Sequence, residues 1–241
     1  MLLKFNNLTK AGVLNFSTTK KGWSTQKPTR FTGDAHEEYL PFREELAGIL
    51  SISAKNLVFP RQVHGDHIVI VNTLPETHDI PETDALITDR KDLCICVQEA
   101  DCVPILLYDE NKQVIAAVHA GWRGTVKKIV AKVIEKMIVE FGCNPKHILA
   151  GIGPSIQQQA YEVGPEVITI VKDVFKDHHE LLLHEGKFDL QEANKSLLEN
   201  AGLQDYNIEI MDYCSFSQPH LFYSARRDGV LTGRMATGIM L

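Results

Sequence analysis

The stretch from Val103 to Phe141 constrains the fold of this chain more than any other. Val103 to Tyr108 and Val114 to His119 are runs rich in Val, Ile and Leu, joined by the polar turn Asp109-Glu110-Asn111-Lys112. That is the pattern of a buried β-hairpin. From about Thr125 to Phe141, Val126, Ile129, Val130, Val133, Ile134, Met137, Ile138 and Phe141 recur at helical spacing, and Gly142 and Pro145 follow as stop signals. A hairpin that feeds a long one-sided helix needs a sheet with a helical layer on top of it.

The rest of the chain extends the same plan. His67 to Val71, Ala85 to Thr88, Leu93 to Val97, His147 to Gly153 and Tyr206 to Met211 have strand character. A second amphipathic helix opens at Asp189, an N-cap with Glu192 three residues on, and runs to Gly202. Strands arrive both as hairpins and beside helices, which favours mixed sheets over a strictly parallel one. The expected class is α+β, a layered α/β sandwich with mixed sheets, in one compact domain over residues 1–241.

Composition narrows the partners. With 31 acidic against 25 basic residues the formal charge is −6, and there is no dense basic run to attract nucleic acid or a membrane surface. Residues 1–7 hold no apolar stretch of signal-peptide length, and no segment approaches the roughly 18 to 20 apolar residues of a spanning helix. A cytoplasmic monomer or small homo-oligomer acting on a small molecule is the expectation. The five cysteines are odd in number and irregularly spaced, so free thiols are expected in a reducing compartment.

Three places carry candidate chemistry. Arg61-Gln62-Val63-His64-Gly65 lies on a turn, Glu99-Ala100-Asp101-Cys102 breaks an apolar region, and His119-Ala120-Gly121-Trp122-Arg123-Gly124-Thr125 joins a strand to a helix. Each has a plainer reading: a turn histidine, a short loop with an inert thiol, a tight glycine turn. Together, His64, Cys102 and His119 offer two imidazoles and a thiolate beside strand ends, a three-ligand metal set with an open fourth position. The same donors also suit copper. Backbone N–H groups at the Gly121 to Thr125 helix entrance, with Arg61 and Arg123, are candidates for holding an anion. Near the C-terminus, Phe222, Tyr223, Arg226 and Arg227 could stack on a planar base and bind phosphate, or one arginine could simply pair with Asp228.

The strings RQVHG, TDALIT, ADCVPILLYD, AAVHAGWRGT, GIGPSI with YEVG, FDLQEAN and FYSARRDGVLTGR occur in this order over residues 57–241. In this the chain resembles the YfiH/YlmD-type family, also called the laccase-domain or polyphenol oxidase family. Phe16-Ser17-Thr18-Thr19 resembles the family's FSTR, with Thr19 where arginine is usual. The resemblance implies a zinc site made by His64, Cys102 and His119. It also implies phosphorolysis of adenosine, inosine and S-methyl-5'-thioadenosine with phosphate, with adenosine deamination as a second activity. Arg61, Arg123, Arg226 and Arg227 are the expected substrate contacts. The alternatives are a copper-dependent polyphenol oxidase, and a cysteine hydrolase or peptidoglycan-precursor editing factor that uses Cys102 as nucleophile.

Overall fold

The apolar runs become strands buried on both faces, which explains why they read as continuous rather than alternating. A computed structural model describes residues 2–25, 27–75 and 79–241, leaving aside the side chain of Asp177. One six-stranded sheet has the spatial order Leu2–Leu3, Leu14–Thr18, Met235–Met240, Cys94–Glu99, Leu57–Pro60, Asp79–Ile80. The other runs Ile208–Ile210, Ile148–Ile152, Val103–Asp109, Val114–Ala120, Ala85–Thr88, Ile68–Ile70. Each sheet mixes parallel and antiparallel neighbours, as expected.

Period-two alternation assigns the side chains to layers. Along Val114–Ala120, Ala116 and Val118 face outward onto helices Ile129–Phe141, Pro165–Phe175 and Leu190–Asn200. Ile115 and Ala117 face inward and meet Ile95, Val97 and Ile239 of the other sheet. The far face of that other sheet, with Phe16, Phe59 and Cys94, is covered by Phe42 and Leu46 of helix His36–Leu50. The result is a helix, sheet, sheet, helix sandwich. By the same alternation His119 lies on the inward face after Ile115 and Ala117, and Glu99 lies on the inward face after Ile95 and Val97.

The chain between Asp109 and Val114 turns as expected, and the Asp189 carboxylate accepts the Glu192 N–H at 2.9 Å as the N-cap of helix Leu190–Asn200. One element differs from its sequence pattern. The helix expected from Thr125 to Phe141 is split into Trp122–Val126 and Ile129–Phe141, with Lys128 left-handed at φ 61°. The short piece is held elsewhere: Thr125 Oγ1 accepts from Asn194 Nδ2 at 2.9 Å, and a Cβ on Gly124 would come within 3.0 Å of the Gly65 carbonyl. The long piece keeps Val130, Val133, Ile134 and Met137 on the sheet. The apolar periodicity reads across the break because both pieces bury the same side. The strand Val114–Ala120 therefore enters a five-residue helix rather than the long one.

Leu106 is fully buried between the sheets. Leu106→Ala is expected to lower stability by about 2–5 kcal/mol, read as a lower denaturant midpoint with an unchanged slope.

Candidate functional site

All the candidate loops lie at one end of the sandwich, and the pairing register shows why. Leu57–Pro60 and Cys94–Glu99 run parallel, so both end there. The chain crosses from the first sheet to the second through Arg61–His67 and again through Ala100–Cys102. Val103 opens its strand opposite Ala120, and Ala85 opens opposite Val118, which brings Asp84, Cys102 and His119 to the same edge.

There, one ligand atom each from His64, Cys102 and His119 lies within 4.8 Å of the others. Ligand atoms bonded tetrahedrally at roughly 2.0–2.3 Å to one ion stand about 3.3–3.8 Å apart, so the three side chains could close on a metal by drawing in by up to about 1 Å. Among the described residues no fourth His, Cys, Asp or Glu joins the group. The two imidazoles meet edge to face, with centroids 4.9 Å apart. Gly121 is required by close approach: a Cβ on it would stand 3.0 Å from Cys102 Sγ and 3.1 Å from His64 Cδ2.

Asp84, fully buried, organises the cluster. Its Oδ1 meets His119 Nδ1 at 2.9 Å and accepts the His64 N–H at 3.0 Å. Its Oδ2 accepts from Gly65 at 2.7 Å and Val63 at 3.3 Å. These bonds hold the turn that carries His64 at φ 58°, a left-handed conformation uncommon outside glycine. Burial works against charge on Asp84, but the hydrogen bonds from His119 and the backbone outweigh it and hold the carboxyl below its ordinary range. With Nδ1–H directed at Asp84, His119 offers Nε2 to a metal. Burial also opposes charge on Cys102 and His119. Their mutual attraction reverses this, taking the thiol down to about 6 and the imidazole up to about 10.

The acids beside the thiol have separate parts. Asp101, at φ 96°, accepts from Ser215 Oγ at 2.6 Å and from the Arg226 N–H at 2.7 Å. Glu99 is buried, which pushes its carboxyl up to about 8. Its Oε1 accepts from Thr237 Oγ1 at 2.7 Å, and Oε2 has no partner among the described residues.

The four arginines fall in different settings. Arg226 lies over the Tyr161 ring at 5.1 Å and donates to the Glu162 carbonyl at 2.8 Å. Arg123 is exposed and stacks on Trp122 at 4.4 Å. Arg61 pairs with Asp34. Arg227 is committed to the segment that precedes it, donating to the carbonyls of Ser215, Phe216 and Phe222, and to its neighbour Asp228. Arg226 is thus tied to the metal triangle through Asp101, whereas Arg61 and Arg227 are engaged elsewhere.

Asp84, Tyr161 and Arg234 lie in the strings TDALIT, YEVG and FYSARRDGVLTGR, but the sequence assigns none of them a role. Tyr161 is half-buried; burial raises its phenol, and the charges of Cys102 and Arg226 act on it. Arg234, whose guanidinium is disfavoured by burial, also feels Cys102 and Asp101. Asp84 had two usable signals: its place in the string TDALIT, and an acid standing directly before the fully apolar run Ala85-Leu86-Ile87.

The family model described as multi-copper polyphenol oxidoreductase laccase matches residues 11–241. A purine nucleoside phosphorylase of Bacteroides thetaiotaomicron is 33% identical, with 96% of this chain and 92% of that protein covered. Adenosine deaminase RL5, from an unknown prokaryotic organism, is 36% identical over 95% of this chain and 94% of its own length. The crystal structure of Bacillus licheniformis YfiH superimposes with a TM-score of 0.91 at 30% identity, covering 100% of this chain and 96% of that one.

Two results are expected from this geometry. Metal binding needs a thiolate and a neutral imidazole. Near neutral pH Cys102 is already ionised and His119 protonated, so binding should release about one proton per metal and tighten about tenfold per pH unit just above neutrality. Calorimetry in buffers of different ionisation enthalpy measures both. Asp84→Asn should weaken metal affinity by about 10- to 100-fold, read by competition with a chromophoric chelator.

Proposed function

The chain belongs to the family described as multi-copper polyphenol oxidoreductase laccase, and from that premise we propose a zinc-dependent purine nucleoside phosphorylase with adenosine deaminase activity. The substrates proposed are adenosine, inosine and S-methyl-5'-thioadenosine with phosphate. The carrying observation is the three-ligand group of His64, Cys102 and His119, which lacks a fourth protein ligand among the described residues. A structural zinc is closed by four protein ligands, whereas a catalytic one keeps a position open. The described residues gather one such group, which suits a single ion better than a multinuclear copper cluster.

Zinc held by His64, Cys102 and His119 would supply a Lewis acid and, for deamination, would lower the pKa of a water towards neutrality. The protein's own groups do the rest. Asp84 fixes the His119 ring and the turn bearing His64. Phosphorolysis needs phosphate beside the anomeric carbon as the purine leaves, so cations must border the cleft. Arg226, whose backbone N–H is accepted by Asp101, is the first proposed phosphate contact; with both oxygens engaged, Asp101 acts as a positioning residue. Arg123, exposed beside Trp122, is the second proposed phosphate contact. Arg61 can serve only by leaving Asp34, and Arg227 by leaving the carbonyls of Ser215, Phe216 and Phe222. Glu99, raised to about 8, holds its proton near neutrality and lies on the inward face below the ligands.

A second reading has an observation of its own. The Cys102 thiol held down to about 6 beside His119 is also the signature of an activated nucleophile. One experiment separates the two. Zinc-loaded and chelator-stripped enzyme are incubated with adenosine, with and without phosphate, and the products resolved by chromatography. Adenine released only with zinc and phosphate together, alongside phosphate-independent inosine, is the expected outcome. Undiminished turnover after metal removal would favour the thiol, and no adenine under any condition would refute the phosphorylase.

A further inference from the structure

Strand Leu57–Pro60 runs parallel beside Cys94–Glu99, with Leu57 opposite Cys94 and Val58 opposite Ile95. Carried onward, that register sets Arg61 opposite Gln98, and in a parallel ladder the main chain on either side of Arg61 would bond the N–H and the C=O of Gln98. The strand stops first, at Pro60. Beyond Gln62 the main chain bends towards Asp84, which takes the N–H groups of Val63, His64 and Gly65. A half-buried strand end is then left with a donor and an acceptor to satisfy. A side chain meets both: Gln62 Oε1 accepts the Gln98 N–H at 2.8 Å, and Gln62 Nε2 donates to the Gln98 carbonyl at 2.7 Å.

A carboxamide holds one acceptor and its donors in a plane, as a peptide group does. Gln62 therefore stands in for the strand that has ended. Its partner is firmly placed: Gln98 pairs with Ala236 of strand Met235–Met240, its Oε1 accepts the Phe31 N–H at 3.2 Å, and its Nε2 donates to Thr32 Oγ1. Gln62 precedes His64 by two residues, and Gln98 precedes Cys102 by four. The amide pair thus ties the first crossing between the sheets to the strand that leads into the second.

Of the three ligands, His64 depends most on such a hold. His119 lies within strand Val114–Ala120 with its ring bonded to Asp84, and Cys102 directly precedes strand Val103–Asp109. His64 is exposed, stands on a turn at φ 58°, and gives Asp84 its backbone N–H rather than its ring. Its place is set by the backbone that carries it. We propose that Gln62 is a positioning residue of the metal site: its side-chain amide, bonded to the main chain of Gln98, sets where His64 stands relative to Cys102 and His119. The proposal rests on the reading of these three side chains as metal ligands and is independent of the reaction performed there.

The test compares the full chain with Gln62→Met, which keeps the length of the side chain and removes both hydrogen bonds. Metal-free protein is titrated with cobalt(II), whose thiolate charge-transfer band reports Cys102 and whose visible bands report the whole ligand set. The variant should bind cobalt about tenfold or more weakly, with fainter visible bands and the thiolate band retained at saturation. In metal-free protein the His64 and Gly65 N–H groups should exchange about tenfold faster with solvent, while those of strand Val114–Ala120 and the melting temperature stay unchanged. Wild-type affinity, visible spectrum and exchange in the variant would overturn the proposal. Loss of the thiolate band as well, or faster exchange throughout the strand, would make Gln62 a general stabiliser and overturn it too. A wild-type chain that binds no cobalt would refute the metal reading itself, and the exchange of His64 and Gly65 would still decide whether Gln62 holds the turn.

Discussion

Asp84 sits at the mouth between the two sheets, where burial removes the water that would otherwise solvate a carboxylate. Ionisation survives there because its oxygens find three backbone N–H groups and one imidazole. The arrangement works in both directions. The N–H groups of Val63, His64 and Gly65 stabilise the charge, and the charge pins a turn with a left-handed histidine. The same carboxylate fixes which nitrogen of His119 is free. Two of the three ligands therefore take their orientation from one side chain, and the third, Cys102, is packed against them by the absence of a side chain at Gly121.

The sandwich supplies the other half of the constraint. Each sheet alone is an ordinary mixed sheet, and the site exists because the chain crosses between them at one end. Arg61–His67 and Ala100–Cys102 are both crossings, and Gly153–Ile156 and Met211–Cys214 follow strands that finish at that end. The Ile156 N–H donates to the Asp101 carbonyl, and Gln191 reaches the Gly153 carbonyl at 3.2 Å. Residues far apart in sequence converge because parallel and antiparallel neighbours place alternate strand ends together.

Much of this could be read from local pattern, and what could not is non-local. The runs Ala85–Thr88 and Val114–His119 are visible because burial on both faces leaves them uniformly apolar. The polar break at Glu99–Cys102 is visible because it contradicts that pattern. The division of the helix at Lys127 and Lys128 is hidden, since it arises from contacts of Thr125 with Asn194 and of Gly124 with Gly65. Asp84 carries no local sign of its partners, which lie about 20 and 35 residues away in the chain and come together only by strand pairing. The roles of the arginines were equally hidden. Arg227 and Arg226 are adjacent in sequence, yet one is held by the carbonyls of Ser215, Phe216 and Phe222 and the other lies over Tyr161.

The order of strands also bears on how copies of the chain behave towards one another. Among the described residues the outermost strands of the two large sheets are short: Leu2–Leu3 and Asp79–Ile80 border one sheet, Ile208–Ile210 and Ile68–Ile70 the other. The seven-residue strands Val103–Asp109 and Val114–Ala120 lie in the interior of their sheet. An unpaired strand rim is a template for lateral addition of another chain, and its hazard grows with its length. Placing two- and three-residue strands at the margins keeps the most apolar segments of the sequence away from that template.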